Sequence, residues 1–156
     1  MKKIIDMYSA QIKRTFNTYS VFCEGKMLLY AQDKGNYFQH RKLFFDNNNK
    51  LIAEAKQPSF LFITSSCKIT FSDRQISWLQ EKSKYSSLKY NYTEYCIQHK
   101  RDSVEDHLLK NGIHVGRLVR IKEGVSEYEN EILCGLMEDC LIFSLLSILV
   151  YDFDVN

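Results

Sequence analysis

The sequence is poor in the residues that interrupt regular structure, with one proline and six glycines among 156 residues. It contains no low-complexity segment and no internal repeat, which excludes collagen-like, disordered and solenoid architectures. Hydrophobic residues make up 45% of the chain and aromatic residues 13%, which is enough to build one core. We therefore expect a single domain over residues 1–156.

No apolar run approaches the roughly 20 residues that a helix needs to cross a bilayer. The apolar stretch from Leu141 to Tyr151 has only eleven residues, with acidic residues at 138, 139, 152 and 154 on its two sides. The N-terminal lysines are not followed by the apolar run of a secretory signal. We expect a cytoplasmic protein without a transmembrane segment, which would meet a membrane only at its surface.

The cysteines and histidines lack the spacing of a metal site. No C-x-x-C pair occurs, and no histidine follows a cysteine or another histidine at zinc-finger or H-E-x-x-H spacing. Most cysteines have apolar neighbours, which predicts buried free thiols. The sequence therefore predicts no metal site and no cofactor. The residues concerned are Cys23, Cys67, Cys96, Cys134 and Cys140, with His40, His99, His107 and His114.

Charge is distributed unevenly, although the formal net charge is only +2. All 21 Lys and Arg lie at or before Lys122, whereas eight of the 19 Asp and Glu lie after it. Residues 1–122 therefore carry +10 and residues 123–156 carry −8. The asymmetry indicates either an anionic partner or pairing of the tail with the body, and a solvated lysine surface is the simplest interpretation.

Short β-like runs bounded by polar turns cover most of the chain. The dipeptide Asn111-Gly112 is a typical hairpin turn. Cys67, Ile69 and Phe71 alternate with polar residues, as on a strand with one buried and one solvated face.

Other segments give weaker signals. We expect Pro58 to end a strand, residues 90–99 to form one tyrosine-rich strand, and residues 103–107 to form a short capped turn of helix. The acidic segment 126–131 is placed near the start of the C-terminal helix, where negative charge complements the helix dipole.

The strand around Gly116 has imperfect alternation, because Arg117 shares its face with Val115, Val119 and Ile121. Either a bulge at Gly116 resets the register, or a cation points into a concave interior. We favour the bulge.

Eight to twelve strands followed by a helix that is hydrophobic on all sides fit few architectures, because an open sheet edge and an exposed apolar helix are both unfavourable. We predict a mostly β fold, a closed antiparallel barrel of about 12 strands that encloses an α-helix over roughly 138–149. An eleven-residue helix is about 16 Å long, comparable to a typical strand.

The segments YSVFCEGKMLLYAQDKGNYFQHRKLFFDNNNKLIAEAKQ, YCIQHK with NGIHVGRLVRI, and EDCLIFSLLSILVYDFDVN resemble the superfamily of tubby C-terminal, LURP-one-related and phospholipid scramblase proteins. The chain is most similar to the LURP-one-like branch in its size and in its lack of features that mark the other two branches. The resemblance implies a barrel threaded by a hydrophobic C-terminal helix. It also implies phosphoinositide binding in the tubby branch and calcium-linked phospholipid movement in the scramblase branch, whereas the biochemistry of the LURP-one-like branch is largely undefined. The chain lacks the proline-rich extension and clustered cysteines of scramblases, and the lipid-binding residues of tubby proteins cannot be matched one by one.

The leading hypothesis is a non-enzymatic binding module whose basic residues hold an anionic phospholipid headgroup or an acidic protein partner. A hairpin through Asn111-Gly112 would bring two basic groups together. The candidate residues are Lys100, Arg101, Arg117, Arg120 and Lys122.

Three alternatives stay open. One is a protein-interaction or structural domain without lipid binding. Another is an enzyme, for which the one arrangement to name is His107 beside Glu105 and Asp106, with Cys96 and His99 as nucleophile and base. Cys96 and His99 are three residues apart, however, and would point to opposite faces of a strand. The third is a protein that binds nucleic acid, against which the near-neutral total charge and the lack of an RNP-like motif argue. We predict no catalytic residue.

Overall fold

The computed structural model describes residues 7–16, 18–36, 38–60, 63–64, 66–82, 84–100, 103–122 and 127–153. These form fourteen strands and one helix, α1 at Met137–Phe153. The strands are β1 Tyr8–Thr15, β2 Thr18–Cys23, β3 Lys26–Asp33, β4 Gln39–Phe45, β5 Leu51–Phe60, β6 Ile63–Thr64, β7 Lys68–Phe71, β8 Ile76–Trp78, β9 Gln80–Lys82, β10 Tyr85–Tyr90, β11 Thr93–Gln98, β12 Glu105–Lys110, β13 Ile113–Lys122 and β14 Glu127–Cys134.

Thirteen strands form one antiparallel path in the order β8-β7-β5-β4-β3-β2-β1-β14-β13-β12-β11-β10-β9, and β6 pairs with β5 beside it. The two ends of this path, β8 and β9, are consecutive in the chain and are separated only by Leu79. β8 pairs with β7 and β9 pairs with β10, so the chain itself links the two edges of the sheet. The prediction of a mostly β, antiparallel barrel with one C-terminal helix is confirmed, with thirteen strands around the nearly closed barrel.

The helix α1 packs against β1, β10, β11 and β14. Residues 142–150 are all buried, at most 2% exposed, and the apolar ones belong to the same core cluster as inward-facing strand residues such as Ile12 and Leu118. Ser144 satisfies its hydroxyl by donating to the Cys140 carbonyl at 2.6 Å. Among the described residues, no helix is both long and apolar enough to span a membrane.

The acidic segment before the helix is a strand, which corrects the expectation for residues 126–131. Within the described part of that segment, β14 lies between β1 and β13, and Glu129 is in register with Lys13 on one side and Lys122 on the other. Cross-strand pairs of opposite charge favour this sheet register over a place at the helix start. Lys110 and Asp139, 3.0 Å apart, link body and tail a second time.

Three further expectations were wrong. β5 continues through Pro58, which is paired with β4 but lies beyond the β7 ladder, so a missing N–H is tolerated there. Residues 90–99 contain the hairpin turn Asn91-Tyr92, whose φ angles of 53° and 62° are typical of a type I′ turn without glycine. Residues 105–107 belong to β12 and not to a helical turn.

A bulge does occur next to Gly116. Leu108 pairs with Gly116, whereas Leu109 pairs with His114, so Val115 is the extra residue. A Cβ at position 116 would overlap the Leu133 carbonyl oxygen, so only glycine allows this close approach of β13 to β14. The bulge prediction is confirmed, with the extra residue one position earlier than expected.

Candidate functional site

Of the predicted basic residues, the structure describes the side chains of Lys100, Arg117 and Arg120, and these do not share one face of the barrel wall. Lys100 is exposed just after β11, and Arg117 points outward from β13, 3.6 Å from Glu105. Arg120 lies on the opposite face of β13 and points into the barrel. Arg101 lies outside the described residues, as does the side chain of Lys122. These five residues stay a prediction of headgroup contacts.

Arg120 is committed to an internal ion pair. Its guanidinium lies 2.9 Å from the fully buried Asp106 carboxylate and also donates to the Ser103 carbonyl oxygen. The backbone N–H of Lys100 donates to the other Asp106 oxygen at 3.2 Å. A buried carboxylate requires such partners, so Arg120 compensates the charge of Asp106.

The same carboxylate belongs to a serine-histidine-aspartate arrangement. Ser86 Oγ lies 3.0 Å from His99 Nε2, and His99 Nδ1 lies 3.4 Å from Asp106 Oδ2. Such an order of groups can activate a nucleophile. Ser86 is only 3% exposed, however, and it lines neither the groove described below nor a smaller cavity beside the start of α1. Arg120 is also closer to Asp106 than His99 is. We name Ser86, His99, Asp106 and Arg120 the interior ion network, which joins β10, β12 and β13 with the residue that follows β11.

A second buried charge cluster lies between β3 and β4. Lys42, 1% exposed, places its ammonium 2.5 Å from Asp33 and 5.0 Å from the centre of the Tyr19 ring. Burial lowers the pKa of Lys42, although the hydrogen bond to Asp33 works in the opposite direction. The barrel therefore holds two of its cations, Lys42 and Arg120, inside the wall.

All five cysteines are free and buried, as predicted. Cys134 and Cys140 have their sulfur atoms 2.8 Å apart, which fastens the end of β14 to the first turn of α1. The hydrogen bond to Cys140 raises the pKa of the Cys134 thiol, and burial adds to the effect. The same hydrogen bond lowers the pKa of the Cys140 thiol, because Cys134 donates to it.

A groove opens on the outer face where β8 and β9 part. β9 pairs with β10 only from Tyr85 to Ser87, and beyond this point side chains close the seam. Ser77 Oγ accepts the Lys89 N–H at 3.0 Å, and Asp73 accepts the Tyr90 hydroxyl at 2.9 Å. β8 and β10 are therefore joined by side chains instead of a continuous ladder, and a wedge is left between them.

This wedge, which we name the seam groove, has a volume of about 590 Å³. Its apolar rim consists of Ile76, Trp78 and Tyr85, which are 56%, 48% and 40% exposed. Exposed aromatic and branched side chains around one concavity are unusual for a protein surface that only faces water. The groove is lined by Ile76, Ser77, Trp78, Gln80, Lys82, Tyr85, Ser87, Leu88, Lys89, Glu94 and Cys96.

Lysines surround the apolar rim. Lys82 and Lys89 line the groove, and Lys68 is in register with Trp78 on the neighbouring strand. None of these three lysines forms an ion pair with a described residue, although Glu94 is in register with Lys89. Lys56 continues the row on β5 and pairs with Glu54 at 3.0 Å. The seam groove is thus apolar at its rim and basic around it.

Sequence reasoning missed the seam groove. Nothing in the run QISWLQEKS shows that the chain changes strand partners at Leu79, with β8 on β7 and β9 on β10. The single tryptophan, Trp78, is the last residue of β8 before the split and is 48% exposed. No protein-family model matches the chain, and neither the curated proteins nor the solved structures include a significant match.

Proposed function

We propose that this chain is a non-enzymatic binding module that docks on anionic phospholipid surfaces through the seam groove. The observation that supports the proposal is the combination of exposed Trp78, Ile76 and Tyr85 with unpaired Lys68, Lys82 and Lys89 among the described residues. The resemblance to tubby and LURP-one-related proteins is part of the same proposal.

Each component has a physical role at a membrane surface. Trp and Tyr carry an apolar body and a polar tip, so they favour the boundary between headgroups and acyl chains. Lysine stems lie along apolar surface while their ammonium groups contact lipid phosphate, each adding about 1 kcal/mol near an anionic leaflet. An acidic polypeptide would satisfy the lysines but would gain less from three exposed apolar side chains.

Lys100, one of the basic residues predicted from the sequence, extends the proposed surface. His99, the residue before it, donates its backbone N–H to the Lys84 carbonyl at 2.8 Å, next to Tyr85 at the groove. Lys100 is exposed, whereas Arg120 is held by Asp106. Of the five residues predicted from the sequence, the proposal therefore relies on Lys100 and not on Arg120.

The single tryptophan makes a direct test available, because all tryptophan fluorescence comes from Trp78. Phosphatidylcholine vesicles with phosphatidylserine or phosphoinositide should shift the emission of the protein to the blue and co-sediment it at about 0.15 M salt. Vesicles of phosphatidylcholine alone should do neither. Equal behaviour with both kinds of vesicle would contradict the proposal.

Charge reversal separates the groove from general basicity. Lys82→Glu with Lys89→Glu should lower vesicle binding by roughly tenfold or more, because four units of charge change at the surface. Lys26→Glu with Lys50→Glu is the matched control, because both lysines are exposed and away from the groove. Equal losses in both variants would mean that only net charge matters. A Trp78 shift with polyglutamate but not with vesicles would assign the groove to an acidic polypeptide instead.

A further inference from the structure

His107 and His114 form a close pair on the outer face of the barrel, outside the seam groove and the interior ion network. His107 Nδ1 lies 3.1 Å from His114 Nε2, and the two rings meet edge to face with centroids 4.8 Å apart. His107 is partly exposed on β12, and His114 is exposed near the start of β13. Both side chains can therefore be reached from solvent.

The bulge at Val115 creates this pair. In the register beyond the bulge, His107 is opposite Arg117 and Leu108 is opposite Gly116, so an unbroken ladder would place His114 opposite Lys110. The extra residue instead places His114 opposite Leu109, on the same face as His107. A one-residue slip exchanges the two faces of a strand, so without the bulge His114 would point to the other side of the sheet.

Two facing imidazole nitrogens can share one proton, or both can donate lone pairs to one metal ion. For metal-nitrogen bonds of 2.0–2.1 Å, a nitrogen separation of 3.1 Å corresponds to an angle at the metal of about 95–100°. This angle lies between the values for square-planar and tetrahedral coordination. The separation of the two nitrogens therefore fits two cis ligands, and the rings rotate from their hydrogen-bonded contact so that both lone pairs point at the ion.

We propose that His107 and His114 form a two-histidine site for a divalent transition-metal ion that prefers imidazole ligands, namely Cu²⁺, Ni²⁺ or Zn²⁺. Water completes the coordination, because the described residues contain no group of three or more His, Cys, Asp or Glu suited to a metal. The ion is consequently exchangeable and lies on the surface. Cu²⁺ binds most tightly of the three.

The neighbouring charges partly cancel. Arg117 is in register with His107 and repels a cation, whereas Glu105 lies two residues before His107 and holds Arg117 at 3.6 Å. The net charge of the Arg117–Glu105 pair is zero, so the two imidazoles determine the affinity for the ion.

Titration calorimetry of the untagged full chain with Cu²⁺ and with Ni²⁺, each as the ion alone, tests the site. One ion should bind per chain, and His107→Ala and His114→Ala should each weaken binding by roughly tenfold or more, since each removes one of two protein ligands. His40→Ala is the matched control, because His40 is an exposed histidine on β4. Equal affinities for the wild type and both variants would overturn the proposal.

Electron paramagnetic resonance of the Cu²⁺-loaded protein supplies a second readout. Hyperfine structure from two imidazole nitrogens is expected in the wild type and in His40→Ala, and from one nitrogen in each variant of the pair. A wild-type spectrum without two-nitrogen coupling would also overturn the proposal, even if copper bound elsewhere on the protein.

Discussion

The interior ion network and the seam groove are built on the two faces of the same strand. On β10, Ser86 points inward to His99, whereas the next residue, Ser87, lines the groove outside. Inside, each charged group has a close partner, as Arg120 and Asp106 do at 2.9 Å. Outside, exposed lysines surround apolar side chains without ion pairs to described residues. The comparison indicates that charge inside the barrel maintains the fold, and charge at the groove is available for a ligand.

The largest effect is expected in the buried helix α1. Leu145→Pro should abolish folding, because Leu145 is fully buried in α1 and proline both removes a helix hydrogen bond and clashes with the preceding turn. Leu145→Met, which conserves volume, should cost less than about 1.5 kcal/mol. Circular dichroism and urea unfolding provide the measurement. A soluble Leu145→Pro protein that unfolds cooperatively would contradict the role of α1 as core.

Breaking the interior ion network should be the next largest change. Asp106→Ala leaves the Arg120 guanidinium buried without its carboxylate, which should lower the free energy of unfolding by about 3–5 kcal/mol. Glu105→Ala removes the neighbouring carboxylate, which faces exposed Arg117, and should cost no more than about 1 kcal/mol. Urea denaturation compares the two. Similar losses would show that the inner and outer faces do not differ as described.

A substitution in the seam groove should weaken binding and leave the stability nearly unchanged. Trp78→Ala removes a side chain that is 48% exposed and should change the free energy of unfolding by only about 1 kcal/mol or less, while it weakens binding to anionic vesicles. Urea denaturation followed by circular dichroism gives the stability, and co-sedimentation gives the binding. A loss of stability of about 3 kcal/mol or more would identify Trp78 as part of the core.

The smallest effect is expected for the stability at low pH, through the hydrogen bond from the Tyr90 hydroxyl to Asp73 that helps to close the seam. The backbone N–H of Gln75 and the Tyr90 hydroxyl lower the pKa of Asp73 from its ordinary value of 3.8. A lowered carboxyl pKa contributes stability above the ordinary value, and this contribution is lost as the pH falls through the lower folded-state pKa. Asp73→Asn should therefore flatten this part of the acid limb of a stability-pH curve. Parallel curves for the variant and the wild type below pH 3.8 would contradict this role.

The sequence predicted the barrel because its signals are local. Alternation at Cys67, Ile69 and Phe71 was confirmed by their burial, and the Asn111-Gly112 turn joins β12 to β13 as expected. The Asn91-Tyr92 turn was missed because it lacks the glycine that marks such turns, although both residues adopt positive φ. Charge patterns were less reliable, since the acidic segment pairs between strands instead of preceding the helix.

The candidate sites could not be predicted in the same way, because their residues are distant in the sequence. Arg117 and Arg120 looked like one basic group, but three positions along a strand place them on opposite faces, and only the pairing of β12 with β13 brings Arg120 to Asp106. His107 and His114 had no motif spacing, and only the bulge at Val115 brings them together.

By itself, the amino-acid sequence determined that this protein is a β-rich chain with an apolar C-terminal helix, since alternation, turns and hydrophobic runs depend on neighbours in the chain. Only the tertiary structure decided which cations are buried, where the sheet splits at Leu79, and which histidines meet. Strand register sets these outcomes, and register depends on pairing between segments that are far apart in the sequence.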